Sequence, residues 1–382
     1  MDINPSVKTP GALSLNEEYD PNRPENKPDI SKMEYRYLGN TGTRVSILGY
    51  GNWANNDNKE LTLESVKLAI EKGVNYFDTA EVYGLGRGEL TLGHALKTLN
   101  IPREKIIVSS KIFRNDKDPN DTFLSRKHIH DGIKKILKRL QLEYIDILYA
   151  HRYDMRTPLE ETCRTMNNLI NQGKIIYWGT SNWTACQIIE AYKICEKYNF
   201  VPPVVEQCQY SMMMRQSMEE YRDLFKQYGF RCTTFSPLYS GVLTGKYLKE
   251  IPNDSRYVTT KEAIPVIKFY FDNKHKWDKK IIQLMEVAKK LECSISQLAI
   301  AWVLKNPDVS SCILGATKIE QLEENLGALE VYKKLDHDTL VEIEKILDNA
   351  PRGEIDYCNW KELPSRRNQN LDIDYVKEQA FN

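Results

Sequence analysis

Residues 125–151 read SRKHIHDGIKKILKRLQLEYIDILYAH, a helical pattern that leads directly into a strand pattern. From Ile129 to Leu140 the apolar side chains recur every three or four residues, which is typical of an amphipathic helix. Ile145–Tyr149 is a short and largely apolar run, as expected of a strand covered on both faces. A helix that feeds such a strand is part of a βαβ unit.

The same alternation continues along most of the chain. Helical segments separate eight short apolar runs, and eight βα units close as a parallel barrel. The fold class predicted is therefore α/β, a (β/α)8 TIM barrel. The runs are Val45–Leu48, Val74–Phe77, Ile106–Val108, Ile145–Tyr149, Ile175–Trp178, Val204–Val205, Cys232–Phe235 and Cys312–Leu314.

Two segments stand outside this alternation. The stretch YRYLGNTGTRVSILG predicts a β-hairpin that turns around Asn40–Gly42 and caps the N-terminal end of the barrel. Residues 243–276 show no clean period and predict a long functional loop after the seventh strand. We expect a disordered N-terminal extension over 1–33, the barrel domain over 34–350 and a polar C-terminal tail over 351–382.

Three short motifs predict helix starts by the capping-box pattern. They are Thr157–Glu160, with Pro158 at the first helical position, Thr184–Gln187 and Thr317–Glu320. Gly173 is expected to end the helix that the first motif begins.

Composition excludes several classes of function. Lys and Arg number 53, as do Asp and Glu, so no overall field favours nucleic acid as a partner. The eight cysteines form no C-x-x-C pair and no zinc spacing, which indicates reduced thiols in a reducing compartment. The sequence also lacks a signal-peptide pattern and an apolar run of roughly 18 residues. We therefore expect a cytoplasmic protein.

Reactive side chains follow three neighbouring predicted strands. Asp78 ends the second strand, Tyr83 follows in its loop, Lys111 comes after the third strand and His151 after the fourth. Alone, each has an ordinary explanation as a loop cap, a lid aromatic, a solvated amine or a satisfied histidine. Because a barrel brings the carboxyl ends of its strands together, the four are expected to form one site.

This set of groups suits one chemistry. A nearby ammonium is expected to lower the pKa of a tyrosine from near 10, and a carboxylate would hold that ammonium in place. A neutral imidazole can orient a carbonyl oxygen toward the phenol. The set would protonate an oxygen while hydride reaches the carbonyl carbon, and the hydride must come from a cofactor.

The sequence contains no Rossmann dinucleotide-binding motif in the loop after the second strand. Residues 84–88 read GLGRG, and Glu89 stands where the motif G-x-G-x-x-G requires its last glycine. The phosphates of the cofactor would instead meet loop amides, helix N-termini and basic side chains. Lys246 and Arg256, in the predicted long loop, are candidates for this role or are ordinary surface charges.

The motifs DTAEVYG, SSK, AHR, WGTSNW, FSPLYSGVLTGKY and ILGATKIEQLEENLGA resemble the aldo-keto reductase superfamily. The segments SRKHIHDGIKKILKRLQLEYIDILYA and NQGKIIYWGTSNWTACQIIEAY are similar, more narrowly, to its voltage-gated potassium channel β-subunit branch. The resemblance covers residues 34–350 and implies a TIM barrel that binds NADPH. It places Asp78, Tyr83, Lys111 and His151 in the reductase tetrad.

The resemblance also implies the residues that contact NADPH, by region. Gly51, Asn52, Trp53 and Asp78 would line the pocket; Ser181, Asn182 and Gln207 would face the nicotinamide; and Phe235 would lie beneath it. Ser236, Pro237, Leu238, Ser240 and Gly241 would follow the pyrophosphate, and Lys246 and Arg256 would grip the 2′-phosphate. Gly315, Thr317, Gln321, Glu324 and Asn325 would hold the adenosine.

Three positions depart from the family pattern. The channel branch usually carries Asn where this chain has His151, Phe235 replaces a Trp, and residues 54–59 (ANNDNK) lack the family's glycines. With the full tetrad present, the resemblance implies an NADPH-dependent reductase of small aldehydes or ketones.

The alternative is an accessory subunit that senses NADP(H). It would be a homotetramer docked on the cytoplasmic domain of a potassium channel and so peripheral to the membrane. A phosphate-binding barrel without redox chemistry is a third possibility.

Overall fold

The computed structural model describes residues 32–55, 57–113, 118–253, 255, 258, 264–351, 355–356 and 361–362. Most of the predicted N-terminal extension lies outside these residues, but Met33 is buried in the core. In the predicted C-terminal tail, two short strands pair with each other.

Eight parallel strands form a closed barrel, which confirms the predicted fold class. The barrel strands follow one another in chain order, and the last pairs with the first. They are β3 (Leu48–Gly51), β4 (Tyr76–Asp78), β5 (Ile107–Ile112), β6 (Ile145–Ala150), β7 (Ile175–Ser181), β8 (Glu206–Gln209), β9 (Cys232–Phe235) and β10 (Val309–Leu314). Outside the barrel lie β1 (Tyr35–Tyr37), β2 (Arg44–Ser46), β11 (Ile355–Asp356) and β12 (Lys361–Glu362).

The hairpin of β1 and β2 caps the N-terminal end of the barrel, as predicted. Its Arg36 guanidinium donates to the carbonyl oxygens of Leu304, Asn306 and Val309, at the entry to β10. Since these carbonyls lie where the last strand begins, the hairpin is fixed at the end opposite the strand carboxyl termini.

Several strand boundaries differ from prediction: the third barrel strand, for example, continues through Lys111, and two further differences have a clear cause. The run Val45–Leu48 is divided between the hairpin and the barrel, because the chain passes from β2 to β3 within two residues. The sixth barrel strand is Glu206–Gln209 and not Val204–Val205. The prediction located strands by their apolar runs. It therefore placed this strand too early, because the observed strand begins with a buried glutamate.

Helices surround the barrel, and their bounds are α1 (Lys59–Glu71), α2 (Arg87–Thr98), α3 (Arg126–Leu140), α4 (Leu159–Asn171), α5 (Ala185–Tyr198), α6 (Gln216–Glu220), α7 (Arg222–Tyr228), α8 (Ile264–Asp272), α9 (Lys274–Lys290), α10 (Ile295–Leu304), α11 (Ile319–Leu326), α12 (Ala328–Lys334) and α13 (His337–Leu347). The segment 243–276 is thus not a loop throughout, since it contains α8 and the start of α9. No helix among the described residues is long and apolar enough to span a membrane.

Only one of the three predicted capping boxes forms. At α5, the Thr184 hydroxyl accepts from the Gln187 amide while the Gln187 side chain accepts from the Thr184 amide. The prediction is wrong at α4, which begins after Pro158, where no side chain caps the helix. It is also wrong at α11, because the Thr317 hydroxyl donates to Gln321 and caps no backbone amide of the helix.

Candidate active site

A buried ion pair joins the ends of β4 and β5. Lys111 lies within β5 and is 1% exposed, and its Nζ donates to Asp78 Oδ2. The same ammonium donates to the Thr79 carbonyl at 2.9 Å and to Tyr83 Oη at 3.1 Å. Lys111 therefore links the carboxylate to the phenol, as the sequence predicted.

The second oxygen of Asp78 is also occupied. Its Oδ1 accepts from Ser109 Oγ at 2.7 Å and from Gln207 Nε2 at 3.0 Å. Both donors come from barrel strands, so the carboxylate is held by the barrel wall. An ion of this burial is tolerated when its remaining lone pairs are bonded in this way.

A tight turn delivers Tyr83 to Lys111. Gly84, Leu85 and Gly86 follow it with φ of 56°, 56° and 92°, in the left-handed region that glycine adopts without strain. Leu85 is therefore strained, and strain of this kind is common at functional sites. The His151 ring meets Tyr83 edge-on, with ring centroids 6.3 Å apart.

Burial and neighbouring charges set the protonation of these groups. Burial, helped by the positive charges of Lys111 and Arg152, holds the pKa of His151 well below its usual value, so the imidazole is neutral. Burial would lower the pKa of Lys111, but Asp78 and Tyr83 outweigh it and raise the pKa above its usual value. The site thus holds an ammonium and a neutral imidazole, as the chemistry requires.

The predicted decrease in the pKa of Tyr83 is wrong. Burial raises its pKa above the usual value, and Lys111 only partly opposes this effect. The phenol is therefore protonated in this structure, and its oxygen accepts from Lys111. The ammonium limits the increase in pKa without reversing it.

Residues predicted to face a nicotinamide lie at the same end of the barrel. Ser181 ends β7, Asn182 follows with a left-handed φ of 53°, and Gln207 lies in β8 beside Asp78. Gly51 ends β3, and the buried Asn52 follows, donating to the Gly88 carbonyl at 2.6 Å. Trp53 comes next, in a short 3-10 turn.

The turn after β9 contains several residues in the left-handed region. Phe235 ends β9, and positive φ values follow at Ser236, Tyr239, Ser240 and Gly241. Left-handed residues of this kind can turn neighbouring backbone N–H groups toward an anion, but here the Tyr239 and Gly241 amides donate to the Ser236 and Leu238 carbonyls. Buried Pro237 and half-buried Leu238 complete the turn.

Lys246 lies over this turn. A Cβ added at Gly241 would stand 2.9 Å from Lys246 Nζ, so glycine leaves the space that the ammonium uses. Lys246 Nζ therefore lies beside the backbone of this turn, and its phosphate contact stays a prediction. Arg256 lies outside the described residues.

The residues predicted to hold adenosine are grouped after β10. Gly315 and Thr317 are exposed, and the Thr317 amide donates to Gln321 Oε1 at 3.1 Å. Glu324 is exposed and Asn325 is buried, both on α11. Gly315 packs close to the Gly51 carbonyl, so this group adjoins the residues at the end of β3.

The sequence analysis missed two residues near the site. Arg152 follows His151, and its guanidinium donates to the His151 carbonyl at 2.5 Å and to Ser181 Oγ at 3.4 Å. Glu206 begins β8 and is fully buried. Its signal was present in the sequence, because a charged residue next to the apolar pair Val204–Val205 is unusual in a strand.

Comparisons with known proteins agree with this architecture. The model of the aldo/keto reductase family matches residues 47–348. A rice protein described as a probable voltage-gated potassium channel subunit beta is 43% identical over 326 residues, covering 84% of this chain and 98% of that protein. The chain therefore belongs to the aldo/keto reductase family, within the branch of the voltage-gated potassium channel β-subunits.

Proposed function

We propose that this protein is an NADPH-dependent reductase of small aldehydes and ketones. The observation that carries the proposal is the buried Lys111 ammonium, which bridges Asp78 and Tyr83 3.1 Å from the phenolic oxygen. Burying an amine that bonds both a carboxylate and a phenol costs desolvation free energy, and packing alone does not require such a group. Arrangements of this kind are typical of functional sites. Family membership supports an oxidoreductase.

Each member of the site has a distinct task in this proposal. NADPH supplies the hydride when bound. Tyr83 donates its proton to the carbonyl oxygen, which becomes more basic as negative charge develops there. Lys111 stabilises the phenolate that remains, and Asp78 keeps Lys111 charged and in place. Neutral His151 directs the carbonyl oxygen toward Tyr83 by a hydrogen bond.

The chain's own geometry supports a phosphorylated dinucleotide. The left-handed turn over 236–241 would lie against the diphosphate, although its Tyr239 and Gly241 amides already donate to carbonyls of the turn, and Lys246 adds a positive charge nearby. If Lys246 reaches the 2′-phosphate, as the family resemblance implies, it would favour NADPH over NADH. Gly51–Trp53 and the residues after β10 would complete the cofactor site.

The experiment compares the wild type with Tyr83→Phe. We expect the variant to lose about 100-fold or more of its turnover of an aromatic aldehyde, because the proton donor is gone. NADPH affinity, measured by fluorescence titration, should stay within about twofold, since the ring remains. Equal turnover in both proteins would refute the role of Tyr83, and a wild type that binds no NADPH would refute the proposed cofactor.

A second candidate function follows from the similarity to the rice protein described as a probable channel subunit. In this proposal the chain is a homotetrameric accessory subunit on the cytoplasmic domain of a potassium channel, and NADP(H) binding reports the redox state. Light scattering and co-purification with such a domain test it. A monomer at micromolar concentration that captures no channel domain would contradict it.

A further inference from the structure

Glu206 is a fully buried carboxyl beside the turn that follows β7. Its strand partner is Thr180, while the next residue, Gln207, pairs with Ser181. Gln207 reaches Asp78 inside the barrel. Because neighbouring strand residues point to opposite faces, Glu206 points outward, into the layer between the barrel and its helices.

One donor from the end of β7 and two from the turn after it converge on this carboxyl. The Thr180 hydroxyl donates to Oε2 at 2.5 Å, and the Asn182 amide donates to Oε1. The Trp183 amide also donates to the carboxyl. The turn includes Asn182 at a left-handed φ of 53°, a conformation that asparagine adopts more readily than most residues other than glycine.

An acid here is costly for the fold. Burial raises the pKa of Glu206 to about 8, and hydrogen bonds from Thr180, Asn182 and Trp183 and the positive charge of Arg152 only partly oppose this effect. In the part of the chain that the structure describes, no Lys or Arg forms an ion pair with Glu206. An apolar side chain would pack in this layer without the desolvation penalty. The use of glutamate is therefore explained by the turn that it bonds.

We propose that Glu206 is a positioning residue for the cofactor, which fixes the turn so that Ser181 and Asn182 meet the nicotinamide. The inference rests on the proposed NADPH-dependent function. Glu206 touches neither substrate nor cofactor in this role. It acts through the backbone amides of Asn182 and Trp183, which donate to it; the Asn182 amide also donates to the Gln207 carbonyl at 3.2 Å.

The test uses Glu206→Met, which keeps the length of the side chain and removes the acceptor oxygens. We expect the dissociation constant of NADPH, from fluorescence titration, to rise at least tenfold. Glu206→Gln retains one acceptor oxygen for the turn amides, so its dissociation constant should stay within about threefold of the wild type. Rescue by glutamine and not by methionine separates a hydrogen-bonding role from simple filling of space.

Asp146→Asn is the matched control. Asp146 is also a buried acid, but it starts β6 at the opposite end of the barrel, where it accepts from Arg103 and from the Val108 amide. Its variant should lower the melting temperature and leave NADPH affinity unchanged.

Three outcomes overturn the inference or redirect the test. If the wild type binds NADPH and Glu206→Met binds it equally well, the positioning role is refuted. If the wild type binds none, the proposed function fails instead. Should Glu206→Met not fold, Thr180→Val removes one bond from the carboxyl at constant volume. A severalfold weaker affinity in Thr180→Val supports the role, and an unchanged affinity refutes it.

Discussion

At the scale of single residues, the site depends on charges that the barrel interior keeps apart from water. Lys111 and Asp78 are 1% and 2% exposed, so neither ion is solvated. Each is stabilised by the other; Asp78 also accepts from Ser109 and Gln207, and Lys111 also donates to the Thr79 carbonyl. Function and stability are therefore coupled through the same pair.

This coupling can be measured with Lys111→Met. The variant leaves a buried carboxylate without its cation, and loss of one partner from such a pair costs about 3–5 kcal/mol. We expect the free energy of unfolding in urea to fall by that order and turnover to be lost. The double variant Asp78→Asn, Lys111→Met removes both charges, so it should recover most of the stability and none of the turnover. Equal stability of the single and double variants would show that the charges are not coupled.

At the scale of elements, regular patterns were predictable and exceptions were not. The amphipathic stripe of α3 and the box at α5 formed because local sequence and tertiary packing favour the same structure. The boxes at Thr157 and Thr317 failed because the hydroxyls bond Asp154 and Gln321 instead. Side-chain partners that are distant or optional are not visible in a four-residue motif.

In the site, too, some residues were predictable from the sequence and others were not. Asp78, Lys111 and His151 were found because a barrel places strand ends together. Glu206 was missed because its partners are the backbone amides of another strand's turn, which only the register of β7 and β8 reveals. The direction of the Tyr83 pKa was wrong because sequence shows a neighbouring charge but not the depth of burial.

Close packing between α2 and α3 leads to a prediction at this scale. A Cβ added at Gly93 would stand 2.4 Å from the Leu140 carbonyl oxygen, and backbone cannot move aside as a side chain can. Alanine gains about 1 kcal/mol of helix propensity, but overpacking costs about 1–3 kcal/mol. We expect Gly93→Ala to lower the melting temperature.

Gly42→Ala is the control, since nothing lies within 4 Å of its added Cβ, and it should be neutral. An unchanged or higher melting temperature for Gly93→Ala would show that the helices separate easily.

At the scale of the whole molecule, the barrel wall buries several ionisable side chains. Their burial costs stability, and it also fixes their positions in and near the site. Lys111, Asp78, Glu206 and His151 are all removed from water to differing degrees. Their effects on stability have different signs, because ion pairing favours charge while burial disfavours it. Stability should therefore depend on pH in a way that individual groups explain.

Glu206 is expected to make the free energy of unfolding depend on pH. Its pKa in the folded chain is about 8, against 4.5 for an ordinary glutamate. Between these values the folded state holds the proton that the unfolded state has lost. The stability that this group contributes is thus fully present below pH 4.5 and falls as pH rises toward 8, by up to about 1.4 kcal/mol per pH unit.

Glu206→Gln isolates this contribution because glutamine does not titrate. We expect the free energy of unfolding in urea, measured at pH 5, 6, 7 and 8, to fall more steeply in the wild type than in the variant. The two curves should converge or cross as pH rises, and the slope of their difference gives the number of protons released on unfolding. A difference that is constant across this range would mean that Glu206 is ionised throughout. The hydrogen bonds from Thr180, Asn182 and Trp183 would then outweigh its burial, which would make the turn a stronger anion site than its pKa indicates.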